Sequence, residues 1–137
     1  MSRENVEIVR ELHAAFARRD NEAPFTVYDP EIEWDMSSGF LLPSAESVYR
    51  GHEGVRRYWR TWLEAWEFID GPIERLVDAG ENVVTLFGPT KARGKRSGVD
   101  VEVPPWAQVW TLRDGLVVRM RAYRDHAEAL EAAGLRE

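Results

Sequence analysis

The chain has 137 residues, 44% of them hydrophobic and 31% charged, and a formal net charge of −6. Its length suits one globular domain spanning 1–137, and the acidic balance excludes the broad basic surface that nucleic acid requires and weakens attraction to an anionic membrane. It has no cysteine, so disulfides, thiolate metal sites and a cysteine nucleophile are excluded too.

The amino terminus, Met1-Ser2-Arg3-Glu4-Asn5, leads straight into an amphipathic stretch without the apolar core of a signal peptide. No segment has the length of a membrane span, so a cytoplasmic protein is expected. Val6, Val9, Leu12 and Phe16 recur at three- and four-residue steps, which predicts a helix over about 3–19 with Ser2 as its N-cap. His13 edges that apolar stripe. A short turn or helix around Pro24 to Tyr28 follows and is broken by Asp29-Pro30.

Glu31 to Met36 alternates, with Ile32, Trp34 and Met36 on one face and Glu31, Glu33 and Asp35 on the other, as in a half-buried strand. Residues 37–50 read as a long irregular segment of the kind that often covers a site. Gly51 opens a second helix, on which Val55, Trp59, Trp62 and Trp66 form one continuous face. After the break at Gly71-Pro72, strands are predicted at about 73–78, 82–92, 99–112 and 115–124. Pro104-Pro105 marks a bulge or edge in the third, since proline cannot donate to a ladder. Asp125 then caps a short closing helix with Glu128 as capping-box partner and Gly134 beyond its end. Helices come first and an antiparallel sheet last, which is an α+β order.

The aromatic residues suggest where a site forms. Trp106, Gln108, Trp110 and Leu112 alternate along one strand, so the same face that buries the tryptophans draws Gln108 inward. A buried glutamine needs partners, and either a neighbouring strand or a ligand can supply them. Asp35 is either a pocket carboxylate or, as the alternation favours, a group on the opposite face with solvent or a second copy before it. Arg119 and Arg121 belong to that opposite, convex face, as dimer contacts or as solvated charges. His13, His52 and His126 show no metal-ligand spacing, so no metal is expected. No phosphate-binding glycine loop and no nucleophile elbow is present.

The order of elements, with Arg50-Gly51-His52-Glu53-Gly54-Val55 opening the middle helix and Asp114-Gly115-Leu116-Val117-Val118-Arg119-Met120-Arg121-Ala122-Tyr123-Arg124-Asp125 near the end, resembles the nuclear-transport-factor-2-like superfamily. Within it the chain is most similar to the SnoaL-like branch, named for polyketide cyclases, over its whole length. The resemblance implies a cone-shaped, barrel-like curved sheet, mostly antiparallel, with the first two helices on its concave face. A pocket would open at the wide end, and a homodimer would form through the convex face. Ketosteroid isomerases share this fold and use an Asp base with a Tyr and a protonated Asp at the oxyanion. Carried over, Leu12 falls at the tyrosine, and Met36, or with a one-residue slip Asp35, at the base. Gln108, with Ala107 as the slip alternative, falls at the protonated aspartate. Trp59 matches a pocket aromatic, and Met120 and Ala122 match apolar wall. The triad is absent, and no Asp–Arg–Asp relay of the limonene-epoxide-hydrolase kind can be placed.

The expectation is a pocket for a small hydrophobic molecule, lined by Leu12, Phe16, Trp34, Met36, Trp59, Trp62, Trp106, Trp110, Met120 and Ala122, with Asp35 and Gln108 as catalytic candidates. It would act without cofactor as an isomerase, cyclase, dehydratase or hydrolase. The alternatives are a non-catalytic binder and a dimeric protein-interaction module.

Overall fold

A computed structural model describes residues 2–37 and 47–135. The first helix, α1, runs Ser2–Ala17, so the expected N-cap Ser2 is its first helical residue. It stops earlier than expected because Arg19 takes a left-handed φ of 62° and closes the last turn, with Asp20 N–H donating to Ala15 O at 2.9 Å and Arg19 N–H to Phe16 O at 3.0 Å. Glycine usually holds this position. A short 3-10 helix, Ala23–Thr26, leads to strand β1, Tyr28–Asp35. Within 37–50, Val48–Arg50 forms strand β2; residues 38–46, where a cover over the site is expected, lie outside the described residues.

Helix α2 spans Gly51–Ala65 and begins on a glycine with φ +72°, where an added Cβ would stand 3.3 Å from Pro30 O. His52 Nε2 ties this turn to the Tyr28 carbonyl at 2.9 Å. Trp66, expected to continue the helix, instead starts an unexpected strand, β3, Trp66–Asp70. The chain continues through β4 (Ile73–Ala79), β5 (Asn82–Phe87), β6 (Thr90–Gly94), β7 (Asp100–Val103), β8 (Trp106–Arg113) and β9 (Leu116–Tyr123) to helix α3, His126–Ala132. Asp125 caps α3 by accepting the Glu128 N–H at 2.8 Å.

Two strands expected to be continuous are each broken. Gly88-Pro89 divides β5 from β6, and Pro104-Pro105 divides β7 from β8. The prolines cannot donate to a ladder, so the chain leaves one sheet and enters another at both places. The result among the described residues is a six-stranded sheet in the order β2-β1-β9-β8-β5-β4 and a three-stranded sheet in the order β3-β6-β7. β1 pairs parallel to β9, and the other pairings are antiparallel. The fold is the expected α+β arrangement, but the large sheet is open and does not close into a barrel.

Helices α1 and α2 cover the concave face of the large sheet. Val9 and Leu12 of α1 and Val55 and Tyr58 of α2 pack on Ile32, Trp34, Val83, Trp110, Met120 and Ala122. Helix α3 lies on the other face, where Ala129 and Ala133 meet Val84, Leu86, Ala107 and Val109. A homodimer is expected through this convex face, and α3 covers part of it. Among the described residues no helix is long and apolar enough to cross a membrane.

Candidate functional site

The two helices seal one end of the concave face and leave the other open. There the last turn of α1, the second half of α2, strand β3 and the ends of β5 and β8 line an open cavity of about 500 Å³. Successive side chains in a strand alternate faces, so Trp106 and Gln108 point in while Ala107 and Val109 meet α3. Trp106 stacks flat on Phe87, with ring centres 4.1 Å apart and planes 9° apart. Its indole N–H donates to Thr90 Oγ1 at 2.8 Å, which fixes the stack at the fork between the sheets.

Helix α2 supplies the opposite wall. Trp59 and Trp62 lie three residues apart on one face with ring centres 5.8 Å apart, and Trp59 also meets Phe16 of α1 at 5.3 Å. Trp34 and Met36 complete the apolar lining. Arg19, Asn21 and Glu67, all exposed, stand at the rim with Leu63 and Ile73. The interior is poorer in polar groups. Gln108 Oε1 and Trp66 Nε1 are buried and have no hydrogen-bond partner among the described residues.

His13, expected at the edge of the apolar stripe, is drawn inward. One residue past Leu12 on α1, its ring turns away from the core of the helix contact and toward β5 and β8. Nε2 lies 2.9 Å from Thr85 Oγ1, and Trp110 Nε1 donates to the same oxygen at 3.2 Å. Phe16, Phe87 and Trp110 surround the ring edge-on. Burial pushes the imidazole pKa down from 6.5 to about 4, so the ring is uncharged at neutral pH. One sequence signal points to this pair. In Val83-Val84-Thr85-Leu86-Phe87, the single hydroxyl sits at an inward position, where a partner must meet it.

The structure places the expected site residues in three groups. Phe16, Trp34, Met36, Trp59, Trp62, Trp106 and Gln108 border the cavity. Trp110, Met120 and Ala122 face the same way but do not reach it, because α1 and α2 cover them as core, and Leu12 of α1 is one of the side chains packed onto them. Leu12 instead backs a separate groove beside Ile8, Ala15 and Pro24. Asp35 lies on the opposite face, so it cannot act as the cavity's base. Its side chain is 8% exposed and sits 3.3 Å from Arg119 Nη2 and 3.7 Å from Arg121 Nε, which makes it the acidic centre of a charged strip. Burial alone would raise its pKa, but hydrogen bonds from Ser37 and then the arginines outweigh this and hold it low. Among the described residues no group of three or more His, Asp or Glu side chains could hold a metal ion.

The model of the SnoaL-like domain family matches residues 9–120. No curated protein matches the sequence. Among solved structures, an NTF2-like protein from Burkholderia thailandensis E264 is 30% identical over 91% of this chain and 95% of its own, with a TM-score of 0.76. An NTF2-like protein of unknown function from Burkholderia pseudomallei K96243 is 22% identical over 93% and 95%, with a TM-score of 0.78. TerC, co-crystallised with polyporic acid, is 21% identical over 96% and 98%, with a TM-score of 0.76.

Proposed function

The chain belongs to the family of SnoaL-like domains, a small-molecule-binding fold, and from that premise we propose that its cavity binds a small, flat, mostly apolar molecule. One observation carries the reading. A space of about 500 Å³ is walled mostly by apolar groups, among them Phe16, Trp59, Trp62 and the Phe87–Trp106 stack, with His13 and Gln108 inside and Arg19, Asn21 and Glu67 at the rim. That is the composition of a ligand site, in which apolar walls supply affinity and sparse polar groups set orientation. Gln108 is an orienting group: its buried carbonyl oxygen lacks a partner among the described residues, so a ligand hydroxyl or N–H answers it. TerC, which shares the fold, was co-crystallised with polyporic acid, a precedent for a small organic molecule on this scaffold.

A second reading, conversion of the bound molecule without cofactor, is favoured by His13, a half-buried imidazole at the cavity whose pKa burial pushes down to about 4. Pairing of copies through the convex face has less support, since α3 takes part of that face and charged side chains occupy the strip beside it.

Thermal-shift screening with flat aromatic compounds, followed by titration of tryptophan fluorescence, tests the binding reading. Saturable binding that weakens in Trp59→Ala supports it. A panel of such compounds that neither raises the melting temperature nor quenches fluorescence defeats it.

A further inference from the structure

We propose that His13 presents its Nδ1–H to the bound molecule, so that the ligand carries a carbonyl or equivalent oxygen acceptor at its buried end. The proposal rests on the reading of the cavity as a binding site and names the ligand chemistry there.

The argument follows the hydrogens. Thr85 is fully buried, and two groups lie within hydrogen-bonding distance of its hydroxyl oxygen: His13 Nε2 at 2.9 Å and Trp110 Nε1 at 3.2 Å. An indole N–H can only donate, so Trp110 fills one acceptor position of Thr85. The threonine has one proton to give, and among the described residues His13 Nε2 is the acceptor within its reach. Nε2 is therefore bare. The opposite tautomer would point two N–H groups at one hydroxyl oxygen and leave its proton buried without an acceptor.

The desolvated ring is uncharged at neutral pH, so its single proton then sits on Nδ1. That nitrogen has no partner among the described residues, and His13 borders the cavity. A polarised chain results, running from the Trp110 N–H through the Thr85 O–H to the Nδ1–H of His13, and each donor strengthens the next. Thr85 and Trp110 are positioning residues in this chain. A neutral imidazole donor suits an uncharged carbonyl oxygen, because it polarises the bond without placing an ion in an apolar site. The stacked and edge-on rings beside it suit a flat conjugated system. Together they specify an aryl or otherwise conjugated carbonyl compound.

Two measurements test this. A long-range ¹H–¹⁵N spectrum of the ligand-free protein at pH 7 reads the tautomer directly. A protonated Nδ1 and a bare Nε2 on His13 are expected, and Thr85→Val should move the ring toward the other form. An Nε2-protonated His13 in the unmodified protein overturns the proposal, whatever any variant does. For the ligand, 2-acetylnaphthalene is compared with 2-isopropenylnaphthalene, which replaces the carbonyl oxygen by a methylene. The ketone-to-alkene affinity ratio should fall about tenfold in His13→Phe. An unchanged ratio, with both probes binding, overturns the carbonyl assignment alone. Failure of both probes to bind the unmodified protein overturns the cavity reading as well.

Discussion

Asp35 is buried and His13 half-buried, and folding moves their titrations through different pH windows. For Asp35, burial is outweighed by hydrogen bonds from Ser37 and by Arg119 and Arg121, so its pKa falls below 3.8 on folding. The stability it contributes is complete above that value and is lost as the pH drops through the lower folded value. Asp35→Asn should lower the unfolding free energy by about 1–3 kcal/mol at pH 7, measured by chemical denaturation. It should leave probe affinity unchanged, because the side chain stands on the face away from the cavity. His13 falls from 6.5 to about 4, so the unfolded chain binds a proton that the folded one refuses. Stability should therefore decline by about 3 kcal/mol as the pH falls from 6.5 towards 4. In His13→Gln that decline should disappear; its persistence would mean the folded imidazole titrates normally.

Helix α2 is the element on which site and fold depend together. Its first residue, Gly51, adopts φ +72° with Pro30 O near the place a Cβ would take. Gly51→Ala should cost about 1–2 kcal/mol from the left-handed backbone alone, seen as a lower denaturation midpoint. At its far end, Trp59→Ala and Trp62→Ala each remove a cavity wall, and each should weaken binding of an aromatic probe on the order of tenfold. The tryptophan face of α2 is legible in the sequence because Val55, Trp59 and Trp62 keep the helical period. Trp66 keeps it too, and so misleads. What ends the helix is pairing of β3 with β6, where Ile69 sits opposite Ala92, a long-range choice that no local period contains. The same holds for the fork. Gly88-Pro89 and Pro104-Pro105 are visible as interruptions, but that the chain changes sheets at both depends on which strands lie alongside.

At the scale of the whole molecule, the order of elements carries the α+β arrangement, and strand alternation carries the face each side chain occupies. Neither carries depth. Met120, Ala122 and Gln108 all point to the concave side, but α1 and α2 cover the first two, with Leu12 among the covering side chains, and leave Gln108 at the open end. Core and cavity lining are thus one class in the sequence and two in the fold. His13 shows the converse: a polar residue beside an apolar stripe is drawn inside because Thr85 waits for it on the sheet. The six tryptophans of the chain allow the decisive measurement, a titration with 2-acetylnaphthalene followed through their indole N–H resonances. Binding in the cavity should shift the signals of Trp59, Trp62, Trp66 and Trp106 saturably, since all four line it. A titration that leaves those four signals in place, or moves instead the backbone signals of the groove beside Leu12, would contradict it.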